Sequence, residues 1–168
     1  MKYKGFTLIE LLIVISILGI LGSIGLVTFS RVQANARDAV RREQINIIAA
    51  AIQSSKRSDG FYSFTTANLS TEFPNDARVI SGKDPSDVNY CVGCWGNFGP
   101  PTGPANNSDA TWFATAEGCP LGFESLSRAV SVTQSGCLGR TTPDTNAWAL
   151  CAKLELGTSA FCRYSLAR

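Results

Sequence analysis

The pattern of apolar and polar positions changes character along the first third of the chain. From Phe6 to Ser30 every residue is uncharged except Glu10. Apolar residues then recur at spacings of three and four as far as Ile52, with charged residues between them, which is the pattern of an amphipathic helix. We therefore predict one long helix from Phe6 to about Arg57, with Gly60 as its stop.

The amphipathic half of this helix is predicted to cover a globular part with one face. That core face consists of Val32, Ala36, Ala39, Val40, Ile45, Ile47, Ile48 and Ile52. The remaining surface is expected to carry Arg37, Asp38, Arg41, Arg42 and Glu43. We interpret the basic residues from Arg31 to Arg42 as a solvated face that also marks the membrane exit. The alternative is an ion pair between subunits or, less favoured, a DNA contact.

After the helix, the clearest signals lie at the C-terminal end. The segments 147–154 and 160–165 alternate in a way typical of strands, and the turn residues between them predict a hairpin in which Cys151 and Cys162 face each other. Residues 88–92 are predicted as a short strand, 110–116 and 123–130 as short helices, and 97–109 as an exposed loop.

The uncharged run is long enough to cross a bilayer. Residues 11–30 form about 30 Å of helix at about 1.5 Å per residue. A cleaved secretory signal and an ordinary single-pass anchor are the simpler interpretations. Both leave Gly5 and Glu10 without a purpose, because a lone carboxylate inside a membrane costs roughly 2–4 kcal/mol. A cut after Gly5 would supply the missing partner, since the new amine of Phe6 would lie one helical turn from Glu10.

The stretch Lys4-Gly5-Phe6-Thr7-Leu8-Ile9-Glu10, followed by about twenty apolar residues, resembles the class III signal of type IV pilins and pseudopilins. The resemblance implies that a prepilin peptidase cuts after Gly5, that Phe6 is N-methylated, and that Glu10 places an incoming subunit by neutralising the amine of a neighbour. Many members carry a proline where this chain has Val27, and that is a departure from the family pattern.

The resemblance also implies a domain organisation and a fold class. Residues 1–5 are the leader, 6–30 the transmembrane and assembly half of the helix, and 31–168 the periplasmic or extracellular part. The expected fold is α+β, in which the long helix packs on a small antiparallel β-sheet and disulfides stabilise the domain. A modest core of this size is often supplemented in that way.

Six cysteines lie beyond the apolar run and are the disulfide candidates: Cys91, Cys94, Cys119, Cys137, Cys151 and Cys162. An even number of cysteines in a small domain outside the membrane predicts a disulfide framework and an oxidising compartment. Sequence does not fix the pairing. The simplest sequential arrangement joins Cys119 to Cys137 and Cys151 to Cys162, with a bridge inside Cys91-Val-Gly-Cys94. A zinc half-site or a reactive dithiol in that CxxC are less favoured alternatives.

Charge and catalytic motifs narrow the function further. The formal net charge is +2, but Lys2 and Lys4 lie in the leader, so the mature chain has 13 basic and 13 acidic residues. This balance gives no electrostatic case for a nucleic-acid partner. The chain has no histidine and no recognisable catalytic motif. We therefore expect no enzyme activity, no catalytic residues, no cofactor and no metal.

The expected function is a structural subunit of a type IV pilus-like filament. Its expected partners are further copies or other pilins, the prepilin peptidase, and the cytoplasmic membrane before assembly; the assembled form is an extracellular pilus or a periplasmic pseudopilus. One alternative is a pseudopilin of a type II secretion or DNA-uptake system. An alternative of another class is a monomeric, membrane-tethered module that binds a ligand through Trp95, Trp112 or the 97–109 loop.

Overall fold

The computed structural model describes residues 5–95, 118–134, 136–139, 145–156 and 160–165, apart from the side chains of residues 24–27 and Trp95. The chain divides into two compact units, Met1–Ala36 and Arg37–Arg168. Helix α1 (Leu8–Ser54) begins in the first unit and ends in the second. The predicted long helix is therefore confirmed, with an end three residues earlier than expected.

The described part of the second unit contains three short helices and a four-stranded sheet. The helices are α2 (Thr66–Glu72), α3 (Ala77–Ile80) and α4 (Leu126–Ala129), and Asp76 caps α3 by accepting hydrogen bonds from the N–H groups of Arg78 and Val79. The strands are β1 (Cys91–Trp95), β2 (Glu124–Ser125), β3 (Ala147–Ala152) and β4 (Phe161–Tyr164). Helix α4 follows β2 directly, so only the end of the predicted 123–130 helix is helical.

The sheet has the order β2-β1-β3-β4, and all neighbouring strands are antiparallel. The hairpin predicted at the C-terminal end is confirmed, because Cys151 pairs with Cys162 across β3 and β4. Strand β1 starts at Cys91, three residues later than the predicted 88–92 strand. The α+β fold expected from the sequence, a long apolar helix with a small antiparallel sheet and disulfides, is thus observed.

One face of the sheet builds the main core together with the C-terminal half of α1. Helix residues Ile45, Ile48 and Ile52 are completely buried and belong to the same apolar cluster as Trp148 and Leu150 of β3. Tyr62 meets Trp148 edge-on, with ring centroids 6.1 Å apart, which is a favourable aromatic arrangement. These contacts explain why the helix, apolar only on one face here, is stable in this unit.

Several residues assigned to the core face of the helix are outside the core. Val32 and Val40 are 56% and 45% exposed, and Ala36 and Ala39 are also exposed. The prediction was wrong for these four positions because a helix of 3.6 residues per turn presents only a narrow stripe to a small domain.

The disulfides are Cys91–Cys119, Cys94–Cys137 and Cys151–Cys162. The predicted Cys151–Cys162 bridge is therefore confirmed, whereas a Cys119–Cys137 bridge and a bridge inside the CxxC are wrong. Because side chains alternate along a strand, Cys91 and Cys94 point to opposite faces of the sheet and cannot meet each other. The Cys91 and Cys151 bridges form a small second cluster, while Cys94 and Cys137 pack against the main core.

Candidate functional site

The N-terminus of α1 is closed by a reciprocal pair of hydrogen bonds. The backbone N–H and the hydroxyl of Thr7 donate to Oε2 of Glu10 at 2.9 and 2.7 Å, and the Glu10 N–H donates back to Thr7 Oγ1 at 3.4 Å. Leu11 N–H also donates to the Thr7 carbonyl at 3.3 Å. This is a capping box with Thr7 as N-cap and Glu10 three residues later.

The capping box places the Glu10 carboxylate at the positive end of the helix dipole, which favours a negative charge. Both contacts from Thr7 fall on Oε2. The side chains of Phe6 and Glu10 are exposed, and a Cβ built on Gly5 would meet no atom within 4 Å. The candidate processing residues Gly5 and Phe6 and the candidate assembly residue Glu10 are thus brought together at one accessible helix end.

The apolar side chains in the first half of α1 are exposed. Its exposed side chains include Leu8 at 81%, Leu18 at 62% and Leu21 at 61%. Among the described residues, α1 is the one helix long and apolar enough to cross a membrane, and none of its most apolar stretch is buried. An apolar surface of this size marks a contact with a membrane or with other chains.

Polar and small residues within this half are compatible with an apolar surrounding. The hydroxyls of Ser16 and Ser23 donate to the carbonyls of Leu12 and Ile20, each at 2.8 Å, so neither needs water. Gly19 and Gly22 have open space where a side chain would lie. Glycines of this kind allow two helices to approach closely.

In the second unit, charged residues on and beside α1 form an ionic group that we call the Arg41 cluster: Arg37, Asp38, Arg41, Asp84 and Glu155. Asp38, Arg41 and Asp84 are buried, whereas Arg37 and Glu155 are partly exposed. Arg41 is 1% exposed. Its guanidinium donates to Asp84 at 2.5 Å, to Asp38 at 2.6 Å and to Glu155 at 2.8 Å. Arg37 binds Glu155 through two parallel hydrogen bonds of 2.7 and 2.5 Å, the bidentate geometry that Arg favours with a carboxylate.

The two buried acids of the cluster are also bound by the backbone. Asp38 accepts the N–H groups of Glu155 and Leu156 at 2.9 and 3.0 Å. Asp84 accepts those of Ser86 and Val88 at 2.7 and 2.9 Å. Each buried charge therefore has both an ionic partner and hydrogen bonds, as a stable buried network requires. The cluster joins α1 to the segments 84–88 and 155–156.

The pKa values follow from these contacts. Hydrogen bonds from Arg37 lower the pKa of Glu155 to about 2; partial burial opposes this change, and Arg41 adds to it. Burial by itself lowers the pKa of Arg41, but its bonds to Asp84 and Asp38 outweigh burial, so the net pKa is raised. Burial and the charge of Asp84 raise the pKa of Tyr90, which donates its hydroxyl proton to Gln44. All these groups keep their ordinary charge at neutral pH.

The Arg41 cluster corrects the interpretation of the basic residues as a solvated face. Asp38 and Arg41 were expected on the surface and are both 1% exposed. The prediction was wrong because two of the three acids that pair with Arg41 lie 43 and 114 positions further along the chain. Arg31 and Arg42 are exposed, as expected.

A group of potential metal ligands forms around one disulfide. Cys94, Glu124 and Cys137 lie within 4.8 Å of one another. The two sulfurs are bonded to each other, so they are not the thiolates that a zinc site needs. Glu124 instead accepts the N–H of Cys137 at 2.8 Å and pairs with Arg128 at 3.2 Å. The arrangement is structural, and the CxxC is not a free dithiol.

The ligand-binding alternative falls mainly outside the described residues. Trp112 and the 97–109 loop are not among them, and Trp95 is described only through its backbone in β1. The predicted helix at 110–116 lies outside them as well.

Comparison with known proteins identifies the N-terminal segment. Residues 1–26 match the family model described as the prokaryotic N-terminal methylation motif, which is the class III signal of type IV pilins and pseudopilins. The motif supports a pilin-like or pseudopilin protein that prepilin peptidase processes and whose precursor is anchored in a membrane. No curated protein and no solved structure matches the chain.

Two features were missed by the sequence analysis. Thr7 was not assigned a role, although Thr-x-x-Glu before an apolar run is the signature of a capping box. The Arg41 cluster had a partial signal in Asp38 and Arg41, which stand three positions apart on one helix face. Nothing in the sequence pointed to Asp84 and Glu155 as their partners.

Proposed function

We propose that this chain is a structural subunit of a type IV pilus-like filament. Prepilin peptidase removes residues 1–5, and the amine of Phe6 becomes methylated. The apolar half of α1 first anchors the subunit in the cytoplasmic membrane and then packs against the same segment of other subunits. The second unit forms the outer surface of the filament, outside the cell or in the periplasm.

The observation that carries this proposal is the uncovered apolar half of α1 with one carboxylate at its start. Its large apolar side chains from Leu8 to Leu21 are about half exposed or more. A membrane alone would satisfy the apolar side chains. It would not account for Glu10, because an ionised carboxylate in that setting needs a partner.

The geometry of Glu10 supports a role in assembly. Thr7 holds the carboxylate through Oε2, and Oε1 has no hydrogen-bond donor among the described residues. The amine of a neighbouring Phe6 can therefore approach Oε1 without displacing Thr7. A charge-assisted contact of this kind is about twice as strong as a neutral hydrogen bond.

The proposed role is structural and not catalytic. Among the described residues, the buried charged groups are those of the Arg41 cluster, and each is engaged by partners of opposite charge or by backbone N–H groups. A catalytic acid or base needs a site where a substrate can reach it. We therefore propose that the protein acts without a cofactor or metal.

The test is processing followed by assembly. The purified mature protein is expected to lack residues 1–5 and to carry one added methyl group by mass spectrometry. Electron microscopy of cells that express the chain is expected to show filaments. An intact leader in a protein that stays monomeric would instead identify the membrane-tethered module.

Substitution of the assembly residue gives the sharper test. Glu10→Ala is expected to insert into the membrane at least as well as the wild type, because it removes a charge, and to give few or no filaments. Glu10→Asp, which keeps the charge on a shorter side chain, is the matched control and should retain partial assembly. Normal filaments from Glu10→Ala would contradict the pairing of charges.

The pseudopilin alternative shares every processing step, because the N-terminal methylation motif occurs in both classes. A pilus and a pseudopilus differ in the compartment that holds the assembled polymer. Immunogold labelling of intact cells detects a pilus at the cell surface, whereas a periplasmic pseudopilus becomes accessible only after the outer membrane is opened.

A further inference from the structure

The Cys94–Cys137 bridge lies apart from the other two bridges. Cys94 and Cys137 pack against the main core. The other four cysteines form or adjoin the second cluster: Cys91, Cys119, Cys151 and Cys162. Cys94 therefore has one cysteine on its own face of the sheet, and this partner comes from a segment 43 positions further along the chain. Closure of the bridge depends on what holds that segment beside β1.

The side chain of Glu124 connects β2 to Cys137. Glu124 lies opposite Val92 across β2 and β1, and Val92 and Cys94 are two positions apart on one strand, so all three side chains are on the same face of the sheet. Oε1 of Glu124 accepts the N–H of Cys137 at 2.8 Å. A carboxylate oxygen of Glu124 and the two sulfurs lie within 4.8 Å of one another. Glu124 thus holds the backbone of Cys137 next to the strand that carries Cys94.

The peptide groups of Cys137 are held by side chains, unlike those of its neighbours. The N–H of Cys137 donates to Glu124, and the Cys137 carbonyl accepts the hydroxyl of Thr145 at 2.8 Å. A hydrogen bond to a charged acceptor is about twice as strong as one between neutral groups. The neighbouring N–H groups donate to backbone carbonyls instead, at 2.9, 2.8 and 2.8 Å: those of Gly136, Leu138 and Gly139.

Arg128 binds the other oxygen of the same carboxylate. Its Nε lies 3.2 Å from Oε2 of Glu124, four positions earlier in the chain. The two oxygens of Glu124 therefore have different partners, Cys137 on Oε1 and Arg128 on Oε2, and this fixes the orientation of the carboxylate. The positive charge of Arg128 also offsets part of the repulsion between Glu124 and a nearby thiolate.

We propose that Glu124 is the positioning residue that selects Cys137 as the partner of Cys94 when the bridge forms. The oxidant is a second disulfide, of a small molecule or a protein. The thiolate of one cysteine attacks a sulfur of that disulfide, which forms a mixed disulfide and releases one oxidant sulfur. The thiolate of the other cysteine then attacks the mixed disulfide, closes Cys94–Cys137 and releases the second oxidant sulfur. The two protons lost by the cysteines end on the two released sulfurs.

Glu124 has two opposite effects on this reaction. Its hydrogen bond brings Cys137 close to Cys94, which raises the rate because the reacting sulfurs are already in place. Its negative charge opposes formation of the thiolate, which is the attacking species, and this lowers the rate. Positioning is the larger effect, because Arg128 offsets the charge and nothing offsets the loss of the hydrogen bond.

The experiment times the closure of each bridge separately. The full-length protein is reduced in detergent and then treated with oxidised glutathione, free thiols are alkylated at intervals, and non-reducing peptide mapping by mass spectrometry identifies the bridges. Glu124→Ala is expected to slow closure of Cys94–Cys137 about tenfold. More of Cys137 should be found joined to glutathione or to another cysteine. The other two bridges should close at the wild-type rate.

The conservative variant separates positioning from charge. Glu124→Gln keeps a side-chain oxygen for the N–H of Cys137 and removes the negative charge. It should therefore restore correct pairing, and Cys94–Cys137 should close at least as fast as in the wild type. Glu43→Ala removes an exposed acid of α1 outside this contact and should leave all three rates unchanged.

A second measurement keeps the test valid if Glu124→Ala refolds poorly. Limited reduction of the folded protein gives a species in which only Cys94–Cys137 is open, since both of its cysteines are partly exposed and those of Cys91–Cys119 are buried. The rate at which this bridge closes again does not depend on folding of the whole unit. It should be about tenfold lower in Glu124→Ala than in the wild type or Glu124→Gln.

Three outcomes would overturn the proposal. Closure of Cys94–Cys137 at the wild-type rate in Glu124→Ala would show that the backbone contacts of the segment are sufficient. Equal slowing of all three bridges would assign Glu124 to folding of the whole unit. Equal slowing in Glu124→Ala and Glu124→Gln would assign the effect to charge. The filament function is tested through Glu10 and stands or falls independently of these results.

Discussion

Both halves of α1 carry charge in an apolar setting, and they satisfy it differently. Glu10, in the exposed apolar half, has Thr7, three positions earlier, as its one hydrogen-bond partner among the described residues. Arg41, in the half that packs on the sheet, binds three carboxylates from three parts of the chain. The first arrangement leaves a carboxylate oxygen open to another molecule, whereas the second leaves nothing unpaired.

The Arg41 cluster therefore stabilises the fold of one subunit, whereas Glu10 is available for a contact between subunits. A fully paired buried cluster strengthens a single conformation and offers no partner a place to bind. A charge with one local partner keeps its position and can still accept a second donor. The same criterion distinguishes Arg41 from Arg42, its neighbour in sequence, which is exposed and has no carboxylate partner among the described residues.

The largest expected effect comes from removing Arg41. Arg41→Met leaves Asp38 and Asp84 buried without their cation, and this is expected to lower the free energy of unfolding of the second unit by about 3–5 kcal/mol. Urea unfolding of the full-length protein in detergent, followed by tryptophan fluorescence, measures it. Arg42→Met is the matched control and should change stability by less than about 1 kcal/mol. Equal effects of the two variants would contradict the distinction between buried and exposed arginines.

Two glycine substitutions compare the packing around a glycine of the second unit with that around a glycine in the apolar half of α1. In Gly136→Ala the new Cβ would lie 1.7 Å from the carbonyl oxygen of Arg128, so the backbone must move, at an expected cost of about 1–3 kcal/mol. In Gly19→Ala the Cβ meets no atom within 4 Å, and the isolated subunit should lose no stability. The urea midpoint measures the first variant and helicity by circular dichroism the second. Loss of filaments from a well-folded Gly19→Ala protein would locate a close helix contact there.

Acid should weaken the Arg41 cluster through Glu155. Its pKa in the folded protein is lowered to about 2 by Arg37 and Arg41, from an ordinary value of 4.5. A lowered carboxyl pKa contributes stability above the unfolded value, and this contribution is lost as the pH falls from about 4.5 towards 2. Glu155→Gln should therefore be less stable than the wild type at pH 7, and the difference should shrink across this window. A difference in urea midpoint that is independent of pH would contradict this role of Glu155.

The smallest expected effect is at Thr7. Thr7→Ala removes the hydroxyl of the capping box and keeps the backbone N–H, so the helix start should lose about 1 kcal/mol. Thr7→Ser keeps the hydroxyl and serves as the control. If Thr7 positions Glu10, filament yield from Thr7→Ala should fall moderately while leader removal and membrane insertion stay normal. Equal yields from the two variants would show that the Thr7 hydroxyl does not help to position Glu10 and that the backbone N–H is sufficient.

The elements with a strong local pattern were predictable from the sequence. The long helix and the C-terminal hairpin with its Cys151–Cys162 bridge follow from periodicity and short separation along the chain. The bridges of Cys119 and Cys137 were not predictable, because their partners lie 28 and 43 positions away and depend on how distant loops pack against the two faces of β1. The Arg41 cluster was missed for the same reason, since long-range ion pairs have no local signature.

The contacts of Asp38 have a mechanical consequence for the subunit. This side chain on α1 holds the backbone of Glu155 and Leu156, while Arg41 holds Asp84 and so the loop that follows it. A tensile load applied along the helix axis would have to shear several ionic and hydrogen bonds at once before α1 could slide past the sheet. We therefore expect the contact between α1 and these segments to break in one step under load, whereas two apolar surfaces would slide past each other gradually.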